Sequence, residues 1–145
     1  MTAPMHDQPA NSPHVFRCRV YYEDTDLQGI VYYANYLRFI ERGRTEMLTD
    51  RGIDQMALLR DHGVMFVVSR IEADYLRPAG FGDDLAVITG IQKAGAASLL
   101  VEQEIRRDDS VLFRARIRLA VVTATGKPER MPDKLRRLLG TVAAR

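Results

Sequence analysis

At 145 residues the chain has the size of one domain, long enough to bury a single core and too short for two independent ones. Its 46% hydrophobic and 28% charged residues are those of a soluble globular protein, and no apolar run approaches the roughly 20 residues of a membrane span. A net charge of +2, with no basic stripe interleaved with aromatics, excludes nucleic acid as the expected partner and suits a small anionic molecule at least as well.

Residues 1–14 are polar and carry prolines, with neither the basic start nor the apolar stretch of a secretory signal, so they read as a disordered tail before one domain over 15–145. A lone cysteine, Cys18, cannot close an internal disulfide, and a cytoplasmic location is the default expectation. Cys18 alternates with polar neighbours in FRCRVYY, the pattern of a strand side chain rather than a nucleophile. His6 and His14 fall in the tail and His62 stands alone, so no metal is expected.

The β-branched and aromatic residues over 15–22 predict a first strand, which ends at three acidic residues, Glu23, Asp24 and Asp26. Beyond Gly29, apolar residues recur at three and four (Tyr33, Tyr36, Leu37, Ile40, Met47, Leu48) and predict one long amphipathic helix over 31–51. Its other face offers the pairs Arg38/Glu41 and Arg42/Glu46. Gly43 lies on the apolar stripe, where a glycine costs about 1 kcal/mol against alanine, so close approach of a packed backbone is its expected reason. A second short helix is predicted in IDQMALLRDHG, between Asp54 and Gly63.

Four strand-like runs follow: VMFVVSRIEADYL, DLAVITGIQK, SLLVEQEIRR and VLFRARIRLAVVTA, separated by turn residues. The last two fix a register. Opposing Glu104 to Arg114 and Glu102 to Arg116 places opposite charges across one face, and Ile105 with Phe113, Val101 with Ile117 and Leu99 with Leu119 across the other. That pairing calls for an odd number of loop residues around Asp109. The C-terminal DKLRRLLGTVAAR carries a short helical pattern. The order strand, long helix, four antiparallel strands gives a two-layer α+β domain, and the bare sheet edges point to at least a dimer.

The stretch YYEDTDLQGIVYYANYLRFIERGRTEML resembles the signature of hotdog-fold acyl-CoA thioesterases, nearest the Tol–Pal-associated branch, with the hydroxybenzoyl-CoA thioesterases more distant. DYLRPAGFGDDL and the strand order extend the likeness over roughly residues 15–132. The resemblance implies a central helix wrapped by an antiparallel sheet, a homodimer or homotetramer with active sites between subunits, and an acyl-CoA substrate hydrolysed without a cofactor. It maps the reacting carboxylate onto Asp26 and the N–H that meets the thioester oxygen onto the backbone of Tyr33. The branch often carries histidine where this chain has Tyr33, and a tyrosine side chain is no base near neutral pH.

Elementary chemistry is consistent with those assignments. The first N–H groups of a helix lack internal partners, and preorganised donors there stabilise an oxyanion. Asp26 serves either as general base or as nucleophile, and the sequence does not choose. Its ordinary alternative is a cap or turn residue. Gly29 supplies a bend, and Asn35 either bonds backbone near the helix start or orders a partner subunit. Tyr32, Tyr33 and Tyr36 suit core or interface positions, Asp24 a turn. Glu41, the carboxylate position of another hotdog branch, is expected in an ion pair. Arg70, Arg77, Lys93, Lys127 and Arg130 are the cations available for coenzyme A phosphates. Two rivals stand beside the hydrolase: a hotdog dehydratase, which needs a histidine absent from this helix start, and a non-catalytic acyl-CoA-binding or scaffolding protein of the cell envelope.

Overall fold

In the computed structural model, which describes residues 12–140, the alternating segment His14–Arg19 forms β1. Residues 1–11 of the expected tail lie outside the described residues. Its last member, His14, instead opens β1, where its Nε2 lies 2.6 Å from Oδ2 of Asp50. The strand ends three residues before 22, and a 3-10 turn, Tyr22–Asp24, takes the chain away from the sheet.

The long helix α1 spans Asn35–Asp50, four residues later at its start than the apolar period suggests. Ile30 and Val31 are β-branched and are claimed by extended pairing: Val31 bridges Thr25, and Ile30 bridges Gly80. The buried face of α1 carries Tyr36, Phe39, Ile40, Gly43, Arg44, Met47 and Leu48. The approach expected at Gly43 is made by side chains of the sheet rather than by backbone: a Cβ built there would stand 2.5 Å from Cγ1 of Val87, so the missing side chain is what lets the helix settle on the sheet. The expected Arg38/Glu41 and Arg42/Glu46 pairs do not form among the described residues. Glu41 accepts instead from the Thr45 hydroxyl at 2.6 Å, and Arg42 lies over the ring of Phe39.

Helix α2, Gln55–His62, runs between the predicted caps: Asp54 Oδ1 accepts from the N–H groups of Met56 and Ala57, and Gly63 closes the end at φ 69°. The strands β2 (Val64–Tyr75), β3 (Asp84–Ala94), β4 (Ser98–Arg107) and β5 (Ser110–Thr123) follow, then α3 (Asp133–Leu139). All five strands join one antiparallel sheet in the order β1-β3-β4-β5-β2, with α1 across β1, β3 and β4.

The register of β4 on β5 is the one the charges dictate, with Glu102 opposite Arg116, Glu104 opposite Arg114, and Ile105 opposite Phe113. The turn differs from expectation. Arg107 faces Ser110, so only Asp108 and Asp109 lie between the strands, and Asp108 takes a left-handed φ of 54°. Parity is restored inside the ladder: Arg106 faces Val111 while Ile105 faces Phe113, leaving Leu112 as an extra, bulged residue on β5. Its carbonyl accepts from the N–H groups of both Leu76 and Arg77, just past β2.

One polar cluster sits under α1. Gln103 donates from Nε2 to the Ile40 carbonyl (2.9 Å) and to Thr89 (2.8 Å), while its Oε1 accepts from the buried Arg44 guanidinium at 3.0 Å. Burial lowers the Arg44 pKa, with Glu41 pulling the other way.

Candidate active site

The acidic group of the sequence folds into a small hairpin between β1 and α1. The Asp26 N–H donates to the Ile30 carbonyl at 2.9 Å, and the Gly29 N–H donates to the Asp26 carbonyl at 3.0 Å. Gly29 holds φ 78°, which a residue with a Cβ adopts only under strain, and so closes a tight turn followed by a left-handed residue. Asp26 therefore stands at the tip, exposed to solvent in the single chain. Its Oδ1 accepts from the Gln28 N–H at 2.8 Å, and Oδ2 has no partner among the described residues.

Both arms of the hairpin are anchored. Asp24, buried, accepts the Tyr21 N–H on Oδ2 at 2.8 Å, and its carbonyl accepts from the Tyr32 N–H (3.0 Å) and from Nδ2 of Asn35 (2.9 Å). Asn35 thus takes the first of its two expected roles. On the other arm, the Phe81 N–H donates to the Gly29 carbonyl at 3.0 Å, and the Val31 N–H to the Ala79 carbonyl at 2.9 Å.

Tyr33 lies two residues ahead of α1 rather than in its first turn, because the hairpin consumes the residues before it. The path is already helical there. The Asn35 N–H donates to the Tyr32 carbonyl at 2.8 Å, an i to i+3 bond, and the N–H groups of Tyr33 and Ala34 have no acceptor among the described residues. The Tyr33 carbonyl accepts from the Tyr75 hydroxyl at 3.1 Å.

Asp26 and Tyr33 open onto different concavities of one protomer. Tyr22, Thr25, Leu27, Gly29 and Phe81 surround Asp26, while Tyr33 shares its hollow with Ile30, Tyr36, Tyr75, Leu76 and Arg77. The two hollows adjoin along the Gly29–Ile30 arm. Aromatic rings border both: Tyr22 meets Phe81 edge-on at 6.2 Å, and Tyr75 lies between Tyr33 and the buried, stacked pair Tyr36 and Phe113. Tyr36 is core, its hydroxyl accepting from the Ala79 N–H at 2.9 Å; Tyr32 and Tyr33 are exposed.

Of the cations proposed for phosphates, only Arg77 borders either hollow; Arg70 pairs with Glu72 at 3.4 Å, and Lys93, Lys127 and Arg130 are exposed elsewhere. Cys18 lies in β1, where burial pushes its thiol up to about 11 against the pull of Arg42, with Asp24 adding to the rise. Four residues bordering the hairpin and the hollows carry no role in the sequence pattern: Tyr75, Phe81, Asp83 and Arg107, the last two joined at 2.7 Å. The first three stand in DYLRPAGFGDDL, and Arg107 lies 24 residues beyond Asp83, a separation no local pattern reveals.

Residues 20–139 match the Thioesterase-like superfamily, and the chain belongs to it. It is 38% identical over 122 residues to the acyl-CoA thioesterase YbgC of Haemophilus influenzae, covering 83% of this chain and 90% of that protein. The acyl-CoA thioester hydrolase YbgC of Escherichia coli is 38% identical over 119 residues, 81% of this chain and 88% of its own length. A probable thioesterase from Bartonella henselae, known by crystal structure, superposes with a TM-score of 0.80 at 39% identity, over 83% of this chain and all of that one. The fold is the hotdog fold, as the signature stretch implied. No helix among the described residues is long and apolar enough to cross a membrane.

Proposed function

We propose that this chain is an acyl-CoA thioesterase that hydrolyses an acyl-CoA thioester to the free acid and coenzyme A, with Asp26 acting on the carbonyl carbon and the Tyr33 N–H receiving the carbonyl oxygen. The observation that carries this reading is the pairing of an exposed carboxylate, one of whose oxygens has no partner among the described residues, with two N–H groups that likewise have none there, held on adjoining sides of one anchored hairpin arm. A thioester laid across Gly29 and Ile30 reaches both hollows. Attack on its carbonyl, by Asp26 directly or by water that Asp26 deprotonates, places negative charge on the oxygen, and the fixed amide donors stabilise it by about 3 to 4 kcal/mol per good donor. Collapse of the tetrahedral centre expels the coenzyme A thiolate, which takes up a proton; where Asp26 itself has attacked, water then cleaves the mixed anhydride to the free acid and restores the carboxylate. Arg77, beside the Tyr33 hollow, is the cation best placed for a phosphate of that leaving group.

The working unit on this reading is a homodimer or a pair of dimers, with sites between subunits. On β2, Phe66, Val68, Ile71, Ala73 and Tyr75 stand opposite the buried Val121, Leu119, Ile117, Ala115 and Phe113 of β5, and so share the face that α1 covers elsewhere. Helix α1 lies chiefly across β1, β3 and β4 and meets this row through Tyr36, whose ring packs edge-on against Tyr75; Val68 and Tyr75 remain about half exposed. Pairing of two β2 edges would cover it with a second copy.

The test is thiol release from short, long and aromatic acyl-CoAs, with wild type beside Asp26→Asn. We expect the variant to lose at least about 100-fold in kcat with its circular dichroism unchanged. A wild type that releases no thiol from any of them would leave the non-catalytic scaffold as the better account.

A further inference from the structure

The segment Pro78–Asp83 makes contacts that no catalytic role for Asp26 by itself requires. Its middle residues, Ala79 to Phe81, lie along the second arm of the Asp26 hairpin: Val31 donates to Ala79, Ile30 bridges Gly80, and Phe81 donates to Gly29. Among the described residues that arm has no other sheet neighbour except its own first arm. Whatever holds Ala79 to Phe81 therefore sets where the hairpin tip stands.

Asp83 and Arg107 share the holding with the Tyr36 hydroxyl, which accepts from the Ala79 N–H, and with the backbone bonds from Gly82 to Val20 and from Asp83 to Gly80. One carboxylate oxygen, Oδ2 of Asp83, accepts both from the Gly80 N–H and from Nη1 of Arg107, each at 2.7 Å, and the same guanidinium nitrogen reaches the Pro78 carbonyl at 3.3 Å. Arg107 is the last residue of β4, so it belongs to the rigid sheet. The side-chain cluster thus closes the segment into a ring fastened to the sheet edge, with Phe81 and Gly80 facing the hairpin. The neighbouring sheet does not depend on it. Backbone bonds keep β3 in place on its own, since the Val20 N–H donates to the Asp83 carbonyl and Arg19 pairs with Asp84.

We infer that Asp83 and Arg107 are positioning residues for the reaction, a charged strut that runs from the end of β4 through Gly80 to the hairpin and fixes the Asp26 carboxylate relative to the Tyr33 N–H. The inference rests on the proposed role of Asp26. Its cost when lost follows from the geometry of attack: a displacement of about 1 Å between reacting groups lowers a rate by up to about 100-fold without a change in the groups themselves. Substrate binding to the aromatic borders would be less affected, so the loss falls on kcat more than on KM.

The experiment uses the full chain and a double-mutant cycle. Asp83→Asn and Arg107→Gln are each made in wild type and in Asp26→Asn, and kcat, KM and Tm are measured at an enzyme concentration high enough to read the residual rate. The expected result is a tenfold or greater fall in kcat in the wild-type background, KM within about threefold, and no further fall in the Asp26→Asn background. Arg107→Lys, which keeps the charge but holds one fewer geometry, is expected to recover a part of the rate. If Asp83→Asn fails to fold, the Arg107 variants carry the same comparison. An equal fall in both backgrounds, or a lower Tm with kcat intact, overturns the strut. Full activity of Asp83→Asn and Arg107→Gln beside an inactive Asp26→Asn overturns the strut while leaving Asp26 in place. An Asp26→Asn as active as wild type overturns both.

Discussion

The backbone N–H of Asn35 donates to the carbonyl of Tyr32 at 2.8 Å, and because a peptide unit is planar this bond also fixes the direction of the N–H at its other end, that of Tyr33. The donor proposed for the oxyanion is therefore set by backbone and not by the tyrosine ring. Tyr33→Phe is expected to keep kcat within a few-fold. Tyr33→Pro removes the N–H, which has no acceptor to lose among the described residues, at a place where proline is tolerated ahead of a helix. A fall of about 100- to 1000-fold in kcat with the fold retained is the expected outcome; equal rates for the two variants would remove Tyr33 from the site.

Gly43 offers a test of packing. Alanine there gains about 1 kcal/mol of helix propensity but places a methyl 2.5 Å from Cγ1 of Val87, inside contact distance. Overpacking of that kind costs about 1 to 3 kcal/mol, so Gly43→Ala should melt several degrees lower than wild type. Val87→Ala added to it should restore part of the loss, giving a non-additive pair.

Acid stability should depend on Asp83. Its partial burial would raise the carboxyl, but the Gly80 N–H and the Arg107 guanidinium together outweigh that and hold it below the usual aspartate value. The unfolded chain therefore takes up the proton first as pH falls. The stabilisation is whole above the unfolded value of about 3.9 and disappears as pH drops through the lower, folded one. Thermal melts of wild type and Asp83→Asn should show a constant Tm gap above about pH 5 that closes below about pH 4. A gap that widened on acidification would contradict the assignment.

Cys18 should resist alkylation. With its thiol pushed up to about 11, the thiolate fraction at pH 8 is on the order of 100-fold smaller than for an ordinary cysteine. Iodoacetamide labelling at pH 8 should be slower by that factor in the folded protein and rapid in urea, as read by mass spectrometry.

Much of the fold could be read from residue order because the physics involved is local. Alternation marked β2 to β5 to within about two residues, Asp54 and Gly63 bracketed α2, and the facing charges of Glu102, Glu104, Arg114 and Arg116 set a long-range register. What could not be read depends on competition between distant segments. The helical period ran back to Val31, yet Ala79 and Gly80 draw Ile30 and Val31 into extended pairing. Arg44 falls on the packed face of α1, where only the sight of Gln103 explains a guanidinium. At the proposed site, Asp26, Gly29 and Tyr33 stood out in the sequence, while the Asp83 to Arg107 link depends on a contact between the loop before β3 and the end of β4.

The bulge at Leu112 gives the β4–β5 hairpin a tolerance to changes in length. A residue deleted from between Arg107 and Ser110 would be absorbed by drawing Leu112 into regular pairing, with Arg106 then opposite Leu112 and Arg107 opposite Val111, since the ladder beyond Phe113 would keep its phase. Natural homologues one residue shorter here would then lack the kink, and the amide groups of Leu76 and Arg77 would have to find another acceptor.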